Sequence, residues 1–177
     1  LFKGYTKYWG RTMGMNTGDS RNFKTYDEFE DAVKKQLAYL IKMSVRNTHV
    51  SERAHMLRLP KTVRSICTEG CMESGIDCIR GGALYNNGPG LETTGLADLV
   101  DSLAAIKKLV YEEKVFSMDQ LINMIQANFD GFEAERQQLI HNAPKWGNDE
   151  EYVDDIAARL MAFCAETTSQ YKSTLGY

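Results

Sequence analysis

Apolar residues return at helical spacing along most of this chain, and the breaks in that rhythm mark where its elements end. Phe29, Val33, Leu37, Leu40 and Ile41 form one stripe, with Glu28, Asp31, Lys34 and Lys35 on the face turned to water. The stripe predicts a helix from Thr25, where Thr25-x-x-Glu28 reads as a capping box that satisfies free amides at the helix start. Pro60 breaks the pattern, and a second helix is expected around Val63–Ser74, closed by Gly75. Leu99, Leu103, Ile106 and Val110 predict a third over 96–114. A second capping box, Ser117-x-x-Gln120, opens a fourth that carries Leu121, Ile122 and Ile125 and ends at Gly131. A short helix follows through Arg136–Ile140. After Pro144 and Gly147 a last one starts near Asp149, with Glu150 and Glu151 favouring its positive end and Tyr152, Val153, Ile156, Leu160 and Phe163 on its inner face. No alternating run is long enough to predict a strand.

The stretches between these helices differ in kind. Residues 1–24 are rich in glycine, aromatics and turn formers, with Asn16-Thr17-Gly18-Asp19 as a turn, and read as an irregular arm. Residues 81–95 carry glycines at 81, 82, 88, 90 and 95, yet Tyr85, Leu91 and Glu92 stand among them, unlike a plain Gly/Ser linker. Such backbone freedom costs entropy, and loops of this kind often hold functional side chains on a rigid frame. A purely structural turn is the competing reading. The organisation expected is an arm (1–24), a helical part (25–80), a Gly-rich loop (81–95) and a second helical part (96–177), all within one domain.

Composition narrows the class. The 177 residues carry 21 Lys plus Arg against 24 Asp plus Glu, a net charge of −3, and are 43% hydrophobic. That is globular usage, without the basic excess of a nucleic-acid binder or an apolar run of the ~20 residues that span a bilayer. No nucleic-acid or membrane partner is expected, and a cytoplasmic location is. Cys67, Cys71, Cys78 and Cys164 have neither paired C-x2-C zinc spacing nor a secretory context, and His49, His55 and His141 are scattered, so no metal site is expected. There is no Gly-x-Ser-x-Gly elbow, no phosphate loop and no defensible Ser–His–Asp set. Chemistry therefore needs residues from elsewhere. The start at Leu1 and the finish at Leu175-Gly176-Tyr177 suggest an internal segment of something larger.

Six segments resemble the glycyl radical enzymes, the family of pyruvate formate-lyase and glycerol dehydratase. They are Asn16-Thr17-Gly18-Asp19-Ser20-Arg21-Asn22-Phe23, Cys71-Met72-Glu73-Ser74-Gly75, Gly81-Gly82-Ala83-Leu84-Tyr85-Asn86, Gly95-Leu96-Ala97-Asp98, Asp101-Ser102-Leu103-Ala104-Ala105-Ile106-Lys107-Lys108 and Asn142-Ala143-Pro144-Lys145-Trp146-Gly147-Asn148-Asp149. They occur in the family's order and span most of the chain.

The resemblance implies an α/β protein built on a ten-stranded barrel, of which this chain is a mostly α-helical piece with a Gly-rich active-site loop. It implies a glycyl radical and a thiyl-forming cysteine, both outside this chain. No Arg-Val-x-Gly-Tyr motif occurs here, and Gly70-Cys71-Met72-Glu73 lies in a predicted helix downstream of the family's thiyl position, so it is not read as the Gly-Cys-x-Glu motif. The implied partners are the remainder of the same enzyme, a radical-SAM activating enzyme, a second copy in a homo-oligomer and a small-molecule substrate. The carboxylate in Gly88-Pro89-Gly90-Leu91-Glu92-Thr93-Thr94-Gly95 is similar to the arylacetate decarboxylase branch, notably 4-hydroxyphenylacetate decarboxylase, some members of which carry an iron–sulfur small subunit. Carried over on that resemblance, Glu92 is a candidate base for the substrate's phenolic proton, with Tyr85, Asn86 and Leu91 as candidate substrate-binding residues. The competing role for Glu92 is to cap the helix that follows or accept from loop amides. A dehydratase, or a lyase of C–C, C–N or C–S bonds with a small polar substrate, is the alternative activity, and a non-catalytic helical interaction module the third.

Overall fold

The computed structural model describes residues 5–6, 10–86 and 89–176. Its helices are α1 (Tyr26–Arg58), α2 (Thr62–Ile66), α3 (Cys71–Ser74), α4 (Leu96–Ile106), α5 (Met118–Gln126), α6 (Glu133–His141) and α7 (Glu151–Ser169). Two residues in each of β1 (Tyr5–Thr6) and β2 (Arg11–Thr12) pair antiparallel within the arm. The chain divides into two units, one of Leu1–Tyr39 with Thr93–Ala165, the other of Leu40–Glu92 with Glu166–Tyr177.

Three helices make the core of the first unit. Phe29 and Val33 of α1, Val100, Leu103 and Ala104 of α4, and Val153, Ile156, Ala157 and Leu160 of α7 are buried together. The three- and four-residue spacings put each set on one helix face, and every fully buried Leu or Ile contributes roughly 1.5–3 kcal/mol. Glu30 sits beside this core, buried, with Lys34 Nζ at 2.8 Å and Arg159 at 3.1 Å. A second cluster gathers Leu109, Val110, Phe116, Leu121, Met124 and Ala143. Met124, not Ile125, turns inward on α5, because Leu121 and Met124 share a face at i, i+3.

One predicted capping box forms in full and the other in half. Ser117 Oγ accepts from the Gln120 amide at 3.1 Å, while Gln120 Oε1 accepts from the Ser117 amide at 2.8 Å. Thr25 Oγ1 accepts from the Glu28 amide at 3.3 Å, but the Glu28 carboxylate reaches one residue further back, to the Lys24 amide at 2.7 Å. The helix expected over 96–114 widens after Ile106 into a π-helical stretch, Lys107–Glu112, where the Glu113 amide donates to the Lys108 carbonyl. There the Lys107 ammonium lies 4.3 Å from the centre of the Tyr152 ring.

In the second unit, α1 continues to Arg58, well past Ile41. No Gly or Pro occurs between Tyr26 and Pro60 to stop it, although Leu40, Val50 and Leu57 are exposed. The single helix expected over Val63–Ser74 is a correction. Gly70, at φ 91°, splits it into α2 and α3.

Candidate functional site

The Gly-rich loop is fastened to α3 before it reaches its candidate side chains. Backbone bonds come first, with the Leu84 amide donating to the Glu69 carbonyl at 2.9 Å and the Gly82 amide to the Asp77 carbonyl at 3.2 Å. Glycine makes this approach geometrically feasible at two positions. A Cβ on Gly70 would stand 2.5 Å from the Leu84 nitrogen, and one on Gly82 would overlap the Ile76 carbonyl. Ser74 then bridges the two strands of chain, its Oγ 3.2 Å from the Gly82 carbonyl oxygen and 3.3 Å from that of Cys71. Asp77 anchors the turn, its carboxylate accepting from the Ile79 amide at 3.0 Å and the Lys61 amide at 2.8 Å. Those amides, Ile79's above all, hold its carboxyl below the usual carboxylate range.

The loop emerges into a cleft of about 450 Å³ in the second unit, within the range of small-molecule pockets. Tyr85, Asn86 and Pro89 line it together with Glu52, His55 and Arg64. Glu52 is tied at one oxygen to the Thr174 amide, 3.1 Å away. Tyr85 is 84% exposed. Asn86 is half-buried, its Nδ2 donating to the Gly81 carbonyl at 3.0 Å and to that of Ala83 at 2.6 Å. Leu91 lines a separate groove of about 120 Å³ with Val45, His49 and Tyr171.

Glu92 lines neither cleft. Its carboxylate is exposed, with no hydrogen bond or ion pair to any described residue. It does not cap α4 either, because Gly95 takes that position without a side-chain bond. The four candidate residues thus share a loop without converging on one cavity inside this chain. Ser74 and Asp77 both shape the loop, although the sequence pattern assigned Ser74 no role there and did not single out Asp77; the signal was a small hydroxyl before Gly75 and an Asp opening a short turn.

The cysteines are all free thiols. Cys71 is buried on α3, and burial, with Cys78 and Asp77 nearby, pushes its thiol up. Among the described residues no group of three or more His, Cys, Asp or Glu could hold a metal ion, and no helix is long and apolar enough to cross a membrane.

Comparison with known proteins gives these features a context. The family model described as "Pyruvate formate lyase-like" matches residues 1–177. The chain is 37% identical over 171 residues to trans-4-hydroxy-L-proline dehydratase of Clostridioides difficile, covering 96% of this chain and 22% of the relative. It is 35% identical over 181 residues to isethionate sulfite-lyase of Bilophila wadsworthia, covering 99% of this chain and 21% of the relative. The glycerol-bound B12-independent glycerol dehydratase from Clostridium butyricum superposes with a TM-score of 0.88 at 31% identity, over 98% of this chain and 22% of that one. An indoleacetate decarboxylase of Tractidigestivibacter scatoligenes matches at 25% identity over 206 residues, covering 95% of this chain and 23% of the relative. The chain therefore spans about a fifth of the length of these relatives.

Proposed function

Because the chain belongs to the pyruvate formate lyase-like family, we propose that the whole protein is a glycyl radical lyase, a dehydratase or a C–C, C–N or C–S lyase, acting on a small polar substrate. One observation carries the choice of branch. The dehydratase and the sulfite-lyase match at 37% and 35% identity, the decarboxylase at 25%. The arylacetate decarboxylase expected from the loop rested on one carboxylate, Glu92, and gives way to the alternative.

In this reading the helices and loop described here join a ten-stranded barrel supplied by the rest of the chain. The glycyl radical, generated by a radical-SAM activating enzyme, supplies hydrogen-atom abstraction that no side chain of this segment offers. What these residues contribute is a wall of the substrate cavity. Tyr85 offers a ring and a hydroxyl, Leu91 an apolar edge, and Glu92 a carboxylate that accepts a hydrogen bond or a proton from a substrate hydroxyl. A cytoplasmic homo-oligomer is the assembly this family suggests.

The test is a product assay on the full-length, radical-activated enzyme. Vicinal diols, hydroxy acids and hydroxy sulfonates should yield carbonyl or unsaturated products, with sulfite sought from the sulfonates, while arylacetates should yield no cresol-like product. Decarboxylation of an arylacetate, with no turnover of the polar substrates, overturns the proposal.

A further inference from the structure

Asn86 has no hydrogen left to give a ligand. Its side-chain amide carries two N–H groups, and both are spent, on the carbonyls of Gly81 and Ala83. Those carbonyls also fix the orientation of the amide, since turning it over would set Oδ1 against two carbonyl oxygens. Upstream, the Leu84 and Gly82 amides tie the loop to the carbonyls of Glu69 and Asp77 on either side of α3, and Ser74 Oγ ties it to α3 itself. Downstream, residues 89–94 make no hydrogen bond to any described residue. Asn86 is therefore the last described anchor before an untethered stretch that carries Leu91 and Glu92. Tyr85 lies between two anchored neighbours, Leu84 and Asn86, with its ring in the open. A backbone pinned at both sides fixes where the Cα–Cβ bond of Tyr85 points, so its exposed ring is presented from a set position with only its rotamer left to choose.

We infer that Asn86 and Ser74 are positioning residues, which set the placement of Tyr85 through the carbonyls of Gly81, Gly82 and Ala83, and that Asn86 acts in this way rather than by donating to substrate. The inference deepens the proposed function and rests on the reading that this loop faces the substrate. Its chemistry is that of preorganisation: a displacement of about 1 Å in a group beside the reacting atoms costs roughly a hundredfold in rate.

The experiment uses the full-length enzyme after radical activation, with glycyl-radical content counted by electron paramagnetic resonance in every variant. Asn86→Asp keeps the size of the side chain and removes both donors. Ser74→Ala removes the bridge, and Ser74→Thr retains a hydroxyl. Both Asn86→Asp and Ser74→Ala should lower kcat/KM roughly ten- to a hundredfold with radical content unchanged, and Ser74→Thr should recover most of the loss. The deciding readout is a double-mutant cycle with Tyr85→Ala. If Asn86 acts through Tyr85, adding Asn86→Asp to Tyr85→Ala costs much less than it does alone. Additive losses, or an unaffected Asn86→Asp enzyme beside a damaged Tyr85→Ala enzyme, overturn the inference and leave the reading of the loop intact. Silence of Tyr85→Ala, Leu91→Ala and Glu92→Gln together removes the loop from the substrate cavity, and the inference falls with it. Should Asn86→Asp fail to accumulate, the Ser74 pair and its cycle with Tyr85→Ala decide the question alone.

Discussion

The two units are held together by different physics. In the first, Val100, Leu103, Leu109, Val153, Ile156 and Leu160 are almost wholly removed from water, and packing of side chains decides the arrangement. In the second, Val45 and Cys71 are the only buried apolar residues among those described, while Leu57, Leu59, Val63 and Ile66 are exposed. Its order comes from main-chain approach at Gly70 and Gly82 and from short polar side chains, Ser74, Asp77 and Asn86, that bond to backbone. A packed core tolerates repacking at a graded cost. A loop fitted backbone to backbone has no such slack, which suits the positioning role proposed for it.

That contrast breaks hardest at Gly82. A Cβ there meets the carbonyl of Ile76, a backbone atom that cannot swing aside as a side chain would. Gly82→Ala should abolish hydrogen-exchange protection at Gly82 and Leu84, corresponding to a cost above about 4 kcal/mol, with the first unit's amides untouched. Leu103→Ala is the counterpart. Removing a side chain that is 2% exposed should cost about 3–4 kcal/mol in the local stability of α4 and α7, with the loop amides unchanged. A Gly82→Ala loop that keeps its protection, or one milder than Leu103→Ala, would show that backbone fit is not what orders the second unit.

Glu30 tests whether polar bonds matter in the apolar unit too. Burial alone would raise its carboxyl, but hydrogen bonds from Arg159 and Lys34 outweigh it and hold the carboxyl below the ordinary 4.5. A carboxyl lower in the folded than in the unfolded chain stabilises the fold above that ordinary value, and the contribution is lost as the pH falls from there toward the folded-state value. Glu30→Gln should therefore cost about 1–2 kcal/mol at neutral pH. The lower end of the range applies because Arg159, with its side chain 45% exposed, can turn to water instead of being left charged and dry. The amides of α1 should lose protection below about pH 4.5 in the native protein, and that acid dependence should be largely absent in the variant. An unchanged acid profile would detach Glu30 from the stability of the unit.

Legibility in the sequence followed the same division. Phe29, Val33, Leu103, Ile156 and Leu160 were readable because burial repeats at helical spacing, and the Ser117 capping box and the Thr25 half of the other were readable because they obey a fixed offset. The split of α2 from α3 was not, since the left-handed Gly70 that opens α3 lies against the Leu84 backbone, fourteen residues on, and periodicity carries no such approach. Pattern reading placed the Gly-rich loop and named Tyr85, Asn86, Leu91 and Glu92, but it carries no direction for a side chain. It therefore did not foresee that the amide of Asn86 would turn back on its own loop, nor that Glu92 would stand open on this chain. The carboxylate in the loop also pointed to a decarboxylase, whereas similarity along the whole chain favours the dehydratase branch; a single loop residue is a weaker signal than 171 aligned ones.

The smallest effect sharpens the comparison most cleanly, because it touches no core atom. Ser117 opens α5 with both halves of a capping box and no buried surface of its own to lose. Ser117→Ala should cost about 1 kcal/mol, seen as a several-fold faster exchange of the Gln120 amide and the first turn of α5. Leu109 and Leu160 should be unmoved, because a helix packed through Leu121 and Met124 keeps its place when its first turn frays. The matching change in the second unit is Ser74→Ala, which also removes one hydroxyl near a helix end but cuts a tie to Gly82. If the two units are built as described, Ser117→Ala stays local to its turn, whereas Ser74→Ala releases amides on both sides of its bridge, Ile76 on one and Gly82 and Leu84 on the other. Equal, local effects from both substitutions would erase the distinction between a unit held by packing and one held by backbone ties.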